Sequence, residues 1–245
     1  MAMNLYSTKR ITFILFAFLM GYGFAQETEP YLNNETHTFE SAFKAYKQMA
    51  EKNASICHFQ QVGSSDYGYP VPLFIINSSG IFTKEEYQSK NVLLINNAIH
   101  PGEPCGVDAS IKLMNELLAS PNSFPKNVII AIIPIYNIGG AHNRNCCSRA
   151  NQNGPKEYGF RGNSKNLDLN RDFIKADSKN TLAFYSIFHL LKPAVFVDTH
   201  TSNGADYQHT MTLITSQLNK MNPTLAHYTQ EKLNPFLYDQ MEKEN

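Results

Sequence analysis

The stretch Asn127-Val128-Ile129-Ile130-Ala131-Ile132-Ile133-Pro134-Ile135 is apolar almost without interruption and rich in β-branched residues. A strand with one face in water alternates polar and apolar side chains, so this unbroken run reads as a strand buried on both faces. Working outward, Leu73–Asn77 and Asn91–Ala98 are strand-like, separated by a Ser-Ser-Gly turn and a charged segment. Ala194–Val197 reads as a further buried strand. Helical spacing runs through Phe39, Ala42, Phe43, Tyr46, Met49 and Ala50, which predicts a helix over 38–52. It returns from Gly106 to Ala119, with Val107, Ile111, Met114 and Leu118 on one face, and again from Thr181 to Leu191, where Lys192-Pro193 stops it. Pro223 opens a last helical stretch. From the second strand onward the order is strand, helix, strand, long loop, helix, strand. That order predicts an α/β fold, doubly wound, with a mostly parallel (mixed) sheet and helices on both faces.

Charge is balanced along the chain: 21 basic residues offset 21 acidic ones, and the sequence isoelectric point is near 7.1. With no basic stripe, nucleic acid is not an expected partner. The N-terminus carries Lys9 and Arg10, an apolar run from Ile11 to Met20, and small residues in Gly23-Phe24-Ala25. This is the pattern of a signal peptide over residues 1–25, so the expectation is an exported protein, periplasmic or secreted, with no membrane span after cleavage. Residues 26–37 then form a short polar segment, and 38–245 a single domain with a sizeable core. The cysteines are Cys57, Cys105, Cys146 and Cys147. Their spacing fits no Cys-x-x-Cys metal site, and three pairings are open to them. Adjacent Cys146 and Cys147 are not expected to pair with each other, because the bond geometry is strained, so one structural disulfide or none is expected.

Two histidines end strand-like runs. His100 follows Asn91–Ala98 in His100-Pro101-Gly102-Glu103, and His200 follows Ala194–Val197 in Val197-Asp198-Thr199-His200-Thr201. In open α/β sheets, ligands gather at such carboxyl ends. His100, Glu103 and His200 together offer two neutral nitrogens and one carboxylate, the ligand set of a catalytic zinc with an open fourth position. The spacing alone is weak evidence: His37-Thr38-Phe39-Glu40 repeats it at the start of the first helix, where Glu40 suits the positive end of the helix dipole. Context separates the two, since only the second copy follows a buried strand. Tyr136–Lys179 is a long stretch rich in Gly, Asn and Arg between two buried strands, and a loop of that length is expected to be functional. It holds Arg161 in Gly159-Phe160-Arg161-Gly162-Asn163, then Asp168-Leu169-Asn170-Arg171.

In this order and spacing, residues 70–210 resemble carboxypeptidase A-type zinc metallocarboxypeptidases. The resemblance implies one zinc held by His100, Glu103 and His200, with Asp168 accepting a hydrogen bond from the first zinc histidine. It implies that Arg161 polarises the scissile carbonyl and that Asn170 and Arg171 hold the C-terminal carboxylate of a peptide or protein substrate. The residue chemistry agrees: a guanidinium fork matches two carboxylate oxygens, and a carboxylate behind a zinc histidine fixes its ring. Arg144 and Arg149 are alternative candidates for the role given to Arg161. Asp198 shares a strand face with His200, either as its support or as a buried hydrogen-bonded acid. His209, in a following loop, reads as a solvated histidine, with contact to substrate as the alternative, and His58, His142, His189 and His227 read as structural.

The resemblance also implies a glutamate, at the end of a later strand, that serves as general base. Only Glu231, Glu242 and Glu244 follow His200, all in the last helical stretch. The chain is therefore expected to be C-terminally incomplete relative to the family and to lack this base. Three other readings stay open: a cell-wall peptide amidase or deacylase on the same fold, a non-catalytic zinc- or peptide-binding module and, ranked last, a purely structural domain with no metal.

Overall fold

A computed structural model of the chain describes residues 29–120, 124–202, 204–205 and 207–243. The signal-peptide segment 1–25 lies outside the described residues. Among those described, no helix is long and apolar enough to cross a membrane. The chain packs as two units, one ending at Gly204 and one beginning at Ala205.

Among the described residues, the first unit is built on five strands: β1 (Cys57–Val62), β2 (Val71–Asn77), β3 (Asn91–Asn96), β4 (Val128–Ile133) and β5 (Val195–Asp198). They lie in the order β1-β2-β4-β3-β5. β3 runs parallel to both β4 and β5, while β2 is antiparallel to β1 and β4. The sheet is thus mixed, as expected, with its parallel part on the side that carries both histidines.

Alternation along the strands divides the core in two. Phe74, Ile76, Ile130 and Ile132 face helix α1 (Phe39–Lys52) and helix α3 (Cys105–Ala119), and Tyr46, Ile111 and Met114 fill the space between. Leu73, Ile75, Leu94, Ile129 and Ala131 face the opposite way, toward Phe184, Ile187 and Leu191 of helix α5 (Lys179–Leu191). All of these side chains are buried. Helices therefore cover both faces, which is why β4 can dispense with polar residues.

Caps set where the helices begin. Thr38 and Ser41 close a reciprocal capping box at α1, and the Ser178 side chain accepts the Thr181 N–H at α5. Three features depart from the expectations. β1 is a strand that the polar Cys57-His58-Phe59-Gln60-Gln61-Val62 does not announce; it pairs with β2 as an antiparallel edge. The charged segment before β3 and the long loop each contain a short helix, α2 (Lys84–Ser89) and α4 (Ile138–His142). The apolar run of β5 predicts burial, yet Val195, Phe196 and Val197 are 37–44% exposed. Among the described residues, β5 sits at the end of the strand order and pairs with β3 alone, and an apolar run cannot reveal that position.

The cysteines give a further correction. Cys146 and Cys147 are bonded to each other, while Cys57 (buried) and Cys105 (exposed) are free thiols. The adjacent pair lies in an irregular loop, where no helix or ladder fixes the intervening peptide and the two side chains are free to meet.

The second unit contains α6 (Pro223–Tyr228), a π-helical turn over Thr229–Leu233 and α7 (Asn234–Lys243). Asn222 caps α6 by accepting the Thr224 N–H.

Candidate metal centre

Parallel neighbours β3 and β5 end side by side, with Asn96 opposite Asp198. Four residues after β3 comes His100; two after β5 comes His200. The path from β3 to His100 is sharply bent: Ala98 has a φ of 54°, a left-handed conformation that costs a non-glycine residue energy. Backbone bonds over-determine it, since Tyr136 N–H donates to the Asn97 carbonyl and Asn137 N–H to that of Ala98. The Pro101-Gly102 turn then returns the chain so that Glu103 N–H donates to the His100 carbonyl at 2.9 Å.

Helix α3 starts immediately afterwards and packs hard against the end of β5. A Cβ on Gly106 would lie 2.4 Å from the Cβ of Thr199. Only glycine permits this approach, and it brings Glu103 to His200.

His100, Glu103 and His200 converge so that one donor atom from each lies within 4.8 Å of the others. The two imidazoles are arranged alike. His100 turns Nδ1 to Glu103 Oε1 (3.1 Å) and Nε2 to Asp168 Oδ1 (3.1 Å). His200 turns Nδ1 to Glu103 Oε2 (2.9 Å) and Nε2 to Asp198 Oδ2 (3.0 Å). Each ring thus presents one nitrogen inward and rests the other on a carboxylate, an arrangement that fixes ring plane and tautomer. Two imidazole nitrogens and a carboxylate suit zinc. Glu103 is 3% exposed but the His200 side chain 36%, so the cluster is closed below and open on one side.

Charge follows from these contacts. Burial opposes ionisation of Glu103, but hydrogen bonds from His100, His200 and the Thr201 N–H outweigh it and hold the carboxyl below the usual carboxylate range. His200 is pushed up to about 9, first by Asp198 and then by Glu103. Asp168 is held below its ordinary value despite partial burial, by His100, the Asn170 N–H and Arg161.

Arg161 grips Asp168 with Nε (3.1 Å) and Nη2 (3.0 Å), while its Nη1 stands 3.4 Å from His100 Nδ1. Its side chain is 40% exposed. Asp168 also caps the 3₁₀ turn Leu169–Arg171, anchored by buried Leu169. Asn170 is half-buried, and exposed Arg171 donates to the Asn170 carbonyl at 2.8 Å. Behind them, buried Asp172 accepts from Ser178 and Thr181 at the start of α5. Arg144 points elsewhere, to the carbonyls of His37 and Glu157.

Arg149, in sequence only an alternative to Arg161, instead donates Nη1 to Glu103 Oε1 at 2.9 Å. No spacing signal foretells this, because the loop path decides it. Asp198 is legible through its two-residue offset from His200. The other His-x-x-Glu string does helix work: His37 Nδ1 meets Ser41 Oγ, and Glu40 pairs with His142. His142 packs among Phe39, Tyr67 and Tyr69.

The family model for zinc carboxypeptidases matches residues 43–228. No curated protein matches the chain. Among solved structures, a metallo-carboxypeptidase from Burkholderia cenocepacia is similar over 70% of this chain and 43% of its own, with 18% identity and a TM-score of 0.54. One from Pseudomonas aeruginosa covers 69% of this chain and 41% of its own at 18% identity and a TM-score of 0.50. Thrombin-activatable fibrinolysis inhibitor covers 69% and 48% at 13% identity and a TM-score of 0.53. These likenesses bear on the fold, and the chain spans less than half the length of each of the three structures.

Proposed function

The chain belongs to the zinc carboxypeptidase family, and on that premise we propose that it acts as an exported zinc-dependent metallocarboxypeptidase on the C-terminal bonds of peptides or proteins. The observation that carries this reading is the matched pair of histidines, each with Nδ1 on Glu103 and Nε2 on a carboxylate. Export rests on the signal-like pattern of residues 1–25, with 26–37 as a polar lead and 38–245 as the catalytic domain.

His100, Glu103 and His200 would hold one zinc, which when bound supplies a Lewis acid that polarises a carbonyl and acidifies water. Asp168 and Asp198 keep the two imidazoles turned toward it. Arg161 stands beside His100 and steadies the negative charge that develops on the scissile carbonyl oxygen. One well-placed donor of this kind contributes on the order of 2.7–4 kcal/mol. Asn170 and Arg171 take the substrate's terminal carboxylate, the amide fixing its orientation and the guanidinium its charge. Glu231 and Glu242 lie on helical turns of the C-terminal unit, and neither is assigned the role of base. Without a base, turnover would fall by about 10²–10⁴ while binding persisted.

The test compares an N-acylated dipeptide bearing a free C-terminal carboxylate with its C-terminal amide, in the presence of zinc. The acid should bind and the amide should not, and Arg171→Ala should abolish the difference. Equal binding of acid and amide would defeat the carboxylate clamp. Cleavage confined to a muropeptide would make the protein a cell-wall amidase or deacylase instead. Tight zinc and peptide binding with no turnover at any pH would make it a binding module.

A further inference from the structure

We infer that Arg149 is a positioning residue for Glu103, fixing the orientation of the carboxylate that the proposed zinc site depends on; the inference rests on that reading of the site. Glu103 is held from both oxygens. Oε2 accepts from the Thr201 N–H at 3.0 Å and faces His200 Nδ1, while Oε1 accepts from Arg149 Nη1 at 2.9 Å and faces His100 Nδ1. Among the described residues, Arg149 is the one arginine or lysine in close hydrogen-bond contact with this carboxylate, since Arg161 Nη1 stands 3.9 Å away.

The two arginines differ in setting. The Arg149 side chain is 12% exposed and that of Arg161 40%. Arg161 is open to an incoming ligand; Arg149 is built into the wall. Its Nε donates to Gln152 Oε1 at 2.8 Å, and its backbone N–H donates to the hydroxyl of fully buried Tyr158 at 3.1 Å. Tyr158 exchanges two backbone hydrogen bonds with Asn145, whose side-chain oxygen accepts the N–H groups of Cys147 and Ser148. Gly102 completes the fit, because a Cβ there would stand 2.7 Å from Arg149 Cδ. A planar fork held at Nε and engaged at Nη1 sets the plane of the carboxylate it touches. Outer partners of metal ligands typically account for about 10–100-fold in metal affinity.

The test is zinc affinity by competition with a chromophoric chelator, together with the visible absorption of the cobalt(II)-loaded protein. Arg149→Met should weaken zinc by about 10–100-fold and alter the cobalt spectrum. Arg149→Lys, which keeps the charge but not the fork, should recover only part of the loss. Gln152→Ala frees Nε alone and should shift both readouts in the same direction by less; it also carries the test if Arg149→Met fails to fold. Affinity and spectrum unchanged in Arg149→Met, or in Gln152→Ala where only that variant folds, would overturn the inference. Tighter zinc binding would overturn it too, since Arg149 would then compete with the metal for Oε1. If the wild-type chain takes up no zinc, the zinc reading fails and takes this inference with it. Uptake by the wild type that is lost in His200→Ala but kept in Arg149→Met defeats the inference alone.

Discussion

Asp198 and Glu103 grip opposite nitrogens of His200, and together they raise its pKa from 6.5 to about 9 in the metal-free protein. A raised histidine pKa stabilises the folded state fully below the unfolded value, and that stabilisation is lost as pH rises through the folded value. Thermal melts of the chelated protein should therefore show this contribution fading between about pH 6.5 and 9. Glu103 works in the other direction: its lowered pKa stabilises above the ordinary carboxylate range and is lost as pH falls. Zinc needs His200 unprotonated, so uptake below about pH 9 should release protons, and apparent affinity should rise with pH. Calorimetry in buffers of different ionisation enthalpy would read that release; uptake without proton release would contradict it. Asp168→Asn and Asp198→Asn should each weaken zinc by about 10–100-fold, with folding retained. Chelator competition would measure both.

Elements place these residues, and here Gly106 has the sharpest consequence. A methyl group at this position would clash with Thr199 and push α3 away from the end of β5. Gly106→Ala should separate Glu103 from His200 and cost zinc affinity even though alanine is the better helix former. If zinc binding is unchanged and the helix merely more stable, that packing argument is wrong. In the core, Ile132→Ala should destabilise by about 2–5 kcal/mol in urea unfolding, because Ile132 is fully buried against the α1 and α3 side of the sheet. The elements legible in sequence are those with strong periodicity and deep burial: β4 through its unbroken run, α1, α3 and α5 through their apolar faces. β1 is not, because an edge strand with one half-exposed face leaves a weak signal. The exposure of β5 is not either, since hydrophobicity reports what a strand can bury and not what covers it. Ala98 adds a third kind of silence: its positive φ is imposed by bonds from Tyr136 and Asn137, not by its own side chain.

Taken as a whole, the molecule brings together residues about a hundred positions apart because two parallel strands end side by side. That much of the site is readable, since a histidine after each apolar run, a glutamate three residues on and an Asp-x-Asn-Arg string all have local signatures. Arg149 and the Thr201 N–H are not, because their contacts depend on the course of loops. If the cluster holds zinc, the metal should stabilise the folded chain by mass action, about 2.7 kcal/mol at a hundredfold excess over Kd, and a chelator should reverse this. The most direct measurement is the zinc content of the wild type, His100→Ala and His200→Ala after dialysis against a metal-buffered solution. One zinc per wild-type chain and none on either variant is the expected result. Zinc absent from the wild type, or retained equally by all three, would contradict the assignment of His100, Glu103 and His200 as its ligands.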